Sequence, residues 1–456
     1  MKESRPRGRR STRARNDATI VVLGSSGNLA TTRIFPAILR LERKGHLPGR
    51  VATLGVDKRP PRSEAQTLGY QFVRGDLGSQ STFSALGRKL GTSTEGDGRP
   101  LVFYLATTPE LFPGIVRRLR EEGLNRSRHG WRRIMVEKPF GVDPGSSQAL
   151  ERTLRSAFPA RDIFRVDHFL GKVGTSQIQR VRFKSPRLEP VWNRRFIDHV
   201  QIMADEDFDV GARGSFYDSV GVVRDMIQNH LTQLLCLVAM EPPGASGPAG
   251  VARSKACVLR ALRMPGAGEV VWGQYVGYSR ADGVKRNTRT PTFAAMKVAV
   301  DNARWKGVPF YLRTGKALAR TATEVAVVFK DSVRMPKAVP VDLSCLRICI
   351  DPSARVIVET RGKASAAWPD KTGQPADEYE GLILDCFEGN QMRFVDARFN
   401  PLSWELYWAL IQRCETAPSQ RPLPYEAGSW GPGPADGLLA GDGRYWRDGR
   451  PGGRSS

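Results

Sequence analysis

Residues 20–30 read Ile20-Val-Val-Leu-Gly24-Ser-Ser-Gly27-Asn28-Leu-Ala30, and this stretch decides the fold. Ile20–Leu23 is a short β-branched run that stops at a glycine, and Leu29–Leu41 then sets apolar residues at helical spacing. A strand that turns through glycines into a helix brings free backbone N–H groups and the positive end of the helix dipole to one point. Glycines also let the backbone approach a pyrophosphate closely. Gly24, Ser25, Ser26, Gly27, Asn28 and Leu29 are therefore candidate cofactor contacts.

Outward from this turn the pattern repeats. Val51–Val56, Leu101–Ala106 and Ile134–Glu137 read as further strands, with helices over Thr82–Leu90, Glu110–Glu122 and Gln148–Arg155. Short apolar strands separated by helices imply right-handed crossovers and a buried, doubly wound parallel sheet. The second strand ends in Gly55-Val-Asp57-Lys58-Arg59. An acidic residue there favours the ribose hydroxyls of NAD, and basic residues favour the extra phosphate of NADP. Both kinds are present; Lys58 and Arg59 tip the reading to NADP, with NAD left open.

Past about residue 165 the segments lengthen and alternate: Phe196–Met203, Val325–Phe329, Leu346–Ile350, Val356–Glu359 and Glu380–Cys386. They predict a large, mostly antiparallel sheet. Val223, Ile227, Leu231, Leu234 and Val238 predict one long helix over Val222–Met240. The Gly/Pro-rich end from Pro422 to Ser456 reads mostly as loop. The expected organisation is a basic tail over 1–17, a cofactor-binding α/β domain over 18–165, and a substrate-binding and dimerisation α+β domain over 166–456.

Composition narrows the class. The 456 residues carry a net charge of +24, and residues 1–17 supply seven basic and two acidic side chains of it. The basic excess therefore belongs to the body as well as the tail, which suits a phosphorylated substrate. No aromatic stripe, zinc-finger or RNA-binding signature accompanies the charge, so nucleic acid is not the expected partner. No apolar run approaches the ~18 residues of a membrane span. Ala18–Leu23 is too short for the apolar core of a signal peptide. The six cysteines form no CxxC pair or Cys/His cluster, and read as buried reduced thiols of a cytoplasmic protein without a metal site.

Four further motifs carry chemistry. Glu137-Lys138-Pro139 closes the fourth strand, where doubly wound sheets hold ligands, so Lys138 can face both cofactor and substrate. In Asp167-His168-Phe169-Leu-Gly171-Lys172, neighbouring Asp and His point to opposite faces if extended. His168 and Lys172 then offer donors to a phosphate, and Asp167 is left to orient another base. The third motif runs from Glu206 through Arg224-Asp225-Met-Ile-Gln228-Asn229-His230. His230 sits on a mainly apolar helix whose turns also carry Arg224, Asp225, Gln228 and Asn229, a polar load that is costly to bury. An imidazole is a suitable base near neutrality and needs an acid to hold its tautomer. The last, Arg313-Thr-Gly315-Lys316, places a lysine in a turn after a strand.

In content and order these motifs resemble the glucose-6-phosphate dehydrogenase family, from about Thr19 to Trp446. Weaker stretches such as Val191-Trp-Asn-Arg194 and Pro424-Tyr-Glu-Ala-Gly join them. The resemblance implies a Rossmann-type domain, a large α+β domain, and a homodimer or homotetramer. It implies oxidation of D-glucose 6-phosphate to 6-phosphoglucono-1,5-lactone with hydride transfer to NADP⁺, the first step of the oxidative pentose phosphate pathway. By resemblance His230 is the general base and Asp167 its orienting carboxylate. His168 and Lys172 bind phosphate, Glu206, Asp225 and Lys316 bind the sugar, and Lys138 lies at the cofactor–substrate boundary. The chain departs from the family pattern at Asn28, Phe169 (usually Tyr), Val173 (usually Glu), Thr321 (usually basic, with Arg320 one place early) and Asp351 (usually Gln). These departures leave open a related dehydrogenase of another sugar, or a weakly active scaffold.

Overall fold

The structure is a computed structural model and describes residues 18–60, 70–91, 98–244, 247–337, 339, 342–360, 363–368, 377–416, 421–448 and 450. The basic tail 1–17 lies outside the described residues. The chain forms two compact units. One comprises the described residues of Met1–Val136, Thr153–Phe164 and Cys386–Gly389; the other those of Glu137–Arg152, Arg165–Asp385 and Asn390–Ser456.

Up to Val166 the chain alternates strands and helices: β1 (Ala18–Leu23), α1 (Phe35–Arg43), β2 (Val51–Asp57), β3 (Gln71–Arg74), α2 (Gln80–Leu90), β4 (Leu101–Leu105), α3 (Phe112–Glu121), β5 (Arg132–Glu137), α4 (Pro144–Ala157) and β6 (Ile163–Val166). The six strands lie in the order β3-β2-β1-β4-β5-β6, and the pairs β3/β2, β2/β1, β1/β4 and β4/β5 run parallel. This is the order of a dinucleotide-binding doubly wound sheet, with its switch point between β1 and β4. β1 and β4 are buried along their whole length, as strands covered on both faces must be. The sequence reading finds four of the six strands and omits β3 and β6. Each of these has only four residues, too short to show a period.

The second unit carries α5 (His168–Gly171), α6 (Val173–Phe183), β7 (Ile197–Asp205), α7 (Gly214–Val222), α8 (Thr232–Ala239), α9 (Gly247–Ala261), β8 (Leu262–Arg263), β9 (Val270–Tyr275), β10 (Phe293–Val300), β11 (Pro309–Gly315), β12 (Ala322–Phe329), β13 (Leu343–Asp351), β14 (Arg355–Thr360), β15 (Lys363–Trp368), α10 (Glu378–Glu388), α11 (Phe399–Thr416), β16 (Leu423–Tyr425) and α12 (Pro434–Ala440). Its strands form a ten-stranded mixed sheet, β15-β14-β13-β12-β7-β11-β10-β9-β16, with β8 beside β10. Most pairs are antiparallel; β7/β11 and β9/β16 are parallel. The parallel pair matters most for the site. Asp205 faces Gly315 in its register, so the next residues, Glu206 and Lys316, leave the sheet at the same end.

Three expectations are corrected. Glu380–Cys386 is not a strand but part of α10. Tyr379, Leu382, Ile383, Cys386 and Phe387 are buried at spacings of three and four, a helical stripe that the local run Gly-Leu-Ile-Leu disguises. The single helix over Val222–Met240 is instead a π-helical segment, Val223–Leu231, followed by α8. The described end of the chain is mostly loop, as expected, with the short β16 and α12 set in it. All six cysteines are free, but Cys257 is exposed and the other five are buried. No helix among the described residues is long and apolar enough to cross a membrane.

Candidate active site

In the first unit, β1 ends at Gly24, which has φ +91°. A Cβ there would stand 2.6 Å from the Ala106 carbonyl oxygen, so only glycine lets the turn settle against the end of β4. The first helical bond runs from Thr31 N–H to the Gly27 carbonyl, 3.1 Å. The N–H groups of Asn28, Leu29 and Ala30 precede it and have no intrahelical partner. That cradle fits a dinucleotide pyrophosphate. Asp57 is turned inward: one oxygen accepts from Ser26 N–H (2.9 Å) and Ser26 Oγ (2.7 Å), the other from Lys58 N–H (2.7 Å). Lys58 Nζ lies 2.9 Å from Asp76, both side chains exposed, and Arg59 is exposed beside it.

In the second unit the remaining candidates converge. Asp167 ends its extended stretch and caps α5, its Oδ1 accepting Phe169 N–H at 3.0 Å. The same oxygen meets His230 Nδ1 at 2.6 Å. Asp167 is 2% exposed and His230 0%. Burial opposes the charge of Asp167, but the imidazole of His230 outweighs it and holds the carboxyl below its ordinary range. Burial, joined by the charge of Lys138, also lowers His230 below 6.5 against the opposing pull of Asp167. A neutral imidazole giving its Nδ1 proton to a carboxylate presents Nε2 as a proton acceptor. Among the described residues His230 Nε2 is buried without a hydrogen-bond partner.

Two rings enclose that imidazole. Phe169 stacks on it, centroids 4.1 Å apart at 12°, and His168 stands edge-on at 4.7 Å. Asp167 and His168 therefore both reach the same histidine, although adjacent in sequence, because the chain turns into α5 between them. His168 is pushed well below its ordinary value by burial and by its neighbour His230. Ligand atoms of Asp167, His168 and His230 lie within 4.8 Å of one another. The 2.6 Å contact between Nδ1 and Oδ1 is a hydrogen bond, closer than two tetrahedral ligands of one metal at ~2.0–2.2 Å would stand.

A chain of charges continues from the pair. Lys138 Nζ is 3.0 Å from the Asp225 carbonyl and 3.3 Å from its Oδ1. Lys316 Nζ is 3.8 Å from Asp225 Oδ2 and 2.5 Å from Glu206 Oε2. Burial disfavours ionised Asp225, but Lys138 and Lys316 hold it well below the usual carboxylate range. Burial pushes Glu206 up despite Lys316. Phe208 and Tyr217, which the sequence reading did not single out, flank Lys316 with their ring centroids at 4.9 and 5.7 Å.

Lys172 is placed differently. It lies between α5 and α6, and its Nζ pairs with Asp351 Oδ1 at 3.2 Å. Val173 then opens α6. Arg320 donates to Glu324 at 3.1 Å, while Thr321 Oγ1 donates to Asp207 at 2.5 Å. Arg320 is thus engaged away from the Thr321 hydroxyl.

Residues 21–68 and 64–176 match the glucose-6-phosphate dehydrogenase NAD-binding domain, and residues 179–447 the C-terminal domain of the same family. The cytoplasmic isoform of glucose-6-phosphate 1-dehydrogenase from Solanum tuberosum is 34% identical, over 92% of this chain and 91% of its own length. A solved structure of glucose-6-phosphate 1-dehydrogenase from Mycobacterium avium superimposes with a TM-score of 0.81 at 32% identity, covering 94% of this chain and 98% of that one. A second, glucose-6-phosphate dehydrogenase in complex with its substrate glucose-6-phosphate, gives 0.82 at 28% identity, covering 95% and 99%. With both halves matched in order along one chain, this protein belongs to the glucose-6-phosphate dehydrogenase family.

Proposed function

We propose that the chain oxidises D-glucose 6-phosphate to 6-phosphoglucono-1,5-lactone with NADP⁺ as acceptor, and that the Asp167–His230 pair drives it. The observation that carries this reading is the buried 2.6 Å hydrogen bond that leaves His230 Nε2 unpartnered. His230 Nε2 takes the proton of the anomeric hydroxyl as the anomeric C–H bond breaks and the carbonyl of the lactone forms. Asp167 keeps the productive tautomer beforehand and stabilises the imidazolium afterwards. The nicotinamide ring, when bound, supplies the acceptor for the hydride.

Gly24, Ser25, Ser26, Gly27, Asn28 and Leu29 would hold the pyrophosphate. The inward Asp57 and the neighbouring Lys58 and Arg59 favour NADP over NAD. Lys138 and Asp225 would orient the reacting end of the sugar, with Glu206 and Lys316 on its hydroxyls. His168 and Lys172 would take the phosphate. The domains then divide as 18–165 for cofactor and 166–456 for substrate and oligomer contacts, in a cytoplasmic homodimer or homotetramer.

The test is the appearance of NADPH when purified protein meets glucose 6-phosphate. NAD⁺ is assayed separately, and His230→Asn serves as the variant that should lose turnover yet keep sugar-phosphate binding. Turnover that survives in His230→Asn rules out the assigned base. One observation favours a second reading. Lys172 is neutralised by Asp351, and Phe169 offers no hydroxyl, so a related dehydrogenase of another sugar or of unphosphorylated hexose is the alternative. Faster turnover of galactose 6-phosphate or free glucose than of glucose 6-phosphate would select it.

A further inference from the structure

Asp225 and His230 are five residues apart, a spacing that an α-helix does not place on one face. Five residues of α-helix advance to leave the two side chains about 140° apart. Rings closed from residue i to i+5 widen the turn and bring residue i+5 back over residue i. Val223–Leu231 is π-helical, and at its end the Thr232 N–H still reaches back five residues to the Ile227 carbonyl. Asp225 and His230 thereby enter one cluster: Lys138 bonds the first, and the charges of Asp225 and Lys138 both act on the second.

A wide turn is not favoured on its own, being rare and found mostly as single turns at functional sites. Here its backbone is tied by side chains. The Asn229 amide acts as a clip: Nδ2 donates to the Arg224 carbonyl at 2.9 Å, and Oδ1 accepts the His230 N–H at 2.6 Å. Ser403, fully buried on α11, donates its hydroxyl to the Gln228 carbonyl. Thr232 Oγ1 donates to the Ile227 carbonyl at 2.5 Å and lies 2.8 Å from the buried Tyr407 hydroxyl. None of these side chains belongs to the charge cluster.

We propose that Asn229 and Ser403 are positioning residues for the base: the amide clip from within and the hydroxyl from α11 hold the π turn in the register that sets the His230 ring on Asp167 and keeps Asp225 beside it. Loss of either tie lets the segment relax toward α-helical pitch and rotates His230 relative to Asp225. The inference rests on the proposed role of His230, and its test separates the two.

The experiment uses the full chain labelled with ¹⁵N-histidine, which holds only five histidines. The His230 signals are identified by their loss in His230→Asn. In Asn229→Ala and in Ser403→Ala, the His230 ring-nitrogen shifts and their titration midpoint move, while the signals of His46 and His129 stay in place. In turnover of glucose 6-phosphate, kcat falls by about 100-fold with KM changed by no more than about twofold, the split expected when a base is displaced and binding is kept. His230 shifts, titration and kcat that match the parent chain in both variants overturn the proposal. Should Asn229→Ala not fold, Ser403→Ala carries the same readings. If the parent chain does not oxidise glucose 6-phosphate, the proposed function falls, and the histidine spectra still decide the positioning role.

Discussion

Phe169 lies flat against His230, with centroids 4.1 Å apart and planes at 12° to each other, so one face of the imidazole is sealed by hydrocarbon. That contact adds to the burial that holds the ring neutral. Thinning the cover should raise the His230 pKa, because burial disfavours the imidazolium. The inactive protonated form then persists to higher pH. In Phe169→Leu the acid limb of the kcat–pH profile is therefore expected to move upward. Phe169→Tyr keeps the stack, so its limb stays in place, while the added hydroxyl offers phosphate a donor and lowers KM for glucose 6-phosphate. A limb that stays fixed in Phe169→Leu counts against the ring as cover.

Asp167→Asn keeps the shape of the pair and removes the charge. The amide can present its NH₂ to Nδ1 and invert the tautomer, leaving a proton on the nitrogen that should accept one. A loss in kcat of about 10⁴-fold is expected, the scale seen when the acid of a catalytic triad is neutralised in this way. Steady-state rates at saturating substrate are the check; a loss below tenfold would mean that Asp167 only fills space.

In the phosphate-binding role proposed for Lys172, Asp351 is a competitor, paired with its Nζ at 3.2 Å. The pair is part-exposed, so its strength lies in the range of about 0.2–1 kcal/mol, and releasing it is worth up to about fivefold in affinity. Asp351→Asn is expected to lower KM for glucose 6-phosphate by that factor and leave KM for free glucose unchanged. Equal changes for both sugars would show that position 351 does not read the phosphate.

Arg313 is 1% exposed between Asp205 and Asp448, at 2.5 Å and 2.7 Å. Removing it as Arg313→Met strands the buried Asp205 carboxylate, at a cost of about 3–5 kcal/mol, while Asp448 keeps Arg450 at 2.8 Å. Urea unfolding should show that loss at neutral pH. Against its burial, Arg450 and then Arg313 hold the Asp448 carboxyl low, and the Arg313 share sets the sign of the pH dependence: the stability it contributes is present above the unfolded pKa of Asp448 and is lost as pH falls through the folded one. The gap between variant and parent chain should therefore narrow in acid.

The sequence is legible where one local rule suffices. β1, its glycine turn and α1 announce themselves because a β-branched run, Gly24 and a helical stripe follow one another without interruption. Chemistry says only that the base His230 needs an acid; the family resemblance is what names Asp167 as that acid. α10 is misread because Gly-Leu-Ile-Leu looks like a strand until the window widens to Tyr379 and Phe387. The π turn is hidden for a deeper reason: Val223, Ile227 and Leu231 fit an ordinary helical stripe, and the extra residue per turn is decided by Asn229 and by Ser403, 175 residues from the carbonyl it holds. The Lys172–Asp351 contact likewise joins α6 to the end of β13, a neighbourhood that no spacing rule reveals.

The lock around Arg313 also bears on how the protein is handled. Asp448 and Arg450 come from the far end of the chain, and Trp446 lies over the guanidinium at 4.8 Å. The strand they grip, β11, delivers Lys316 three residues later. Trp446, Asp448 and Arg450 are therefore a foundation of the strand that carries Lys316 and not trimming. A crystallisation variant shortened to Tyr445 would remove a counter-charge from the middle of the sheet.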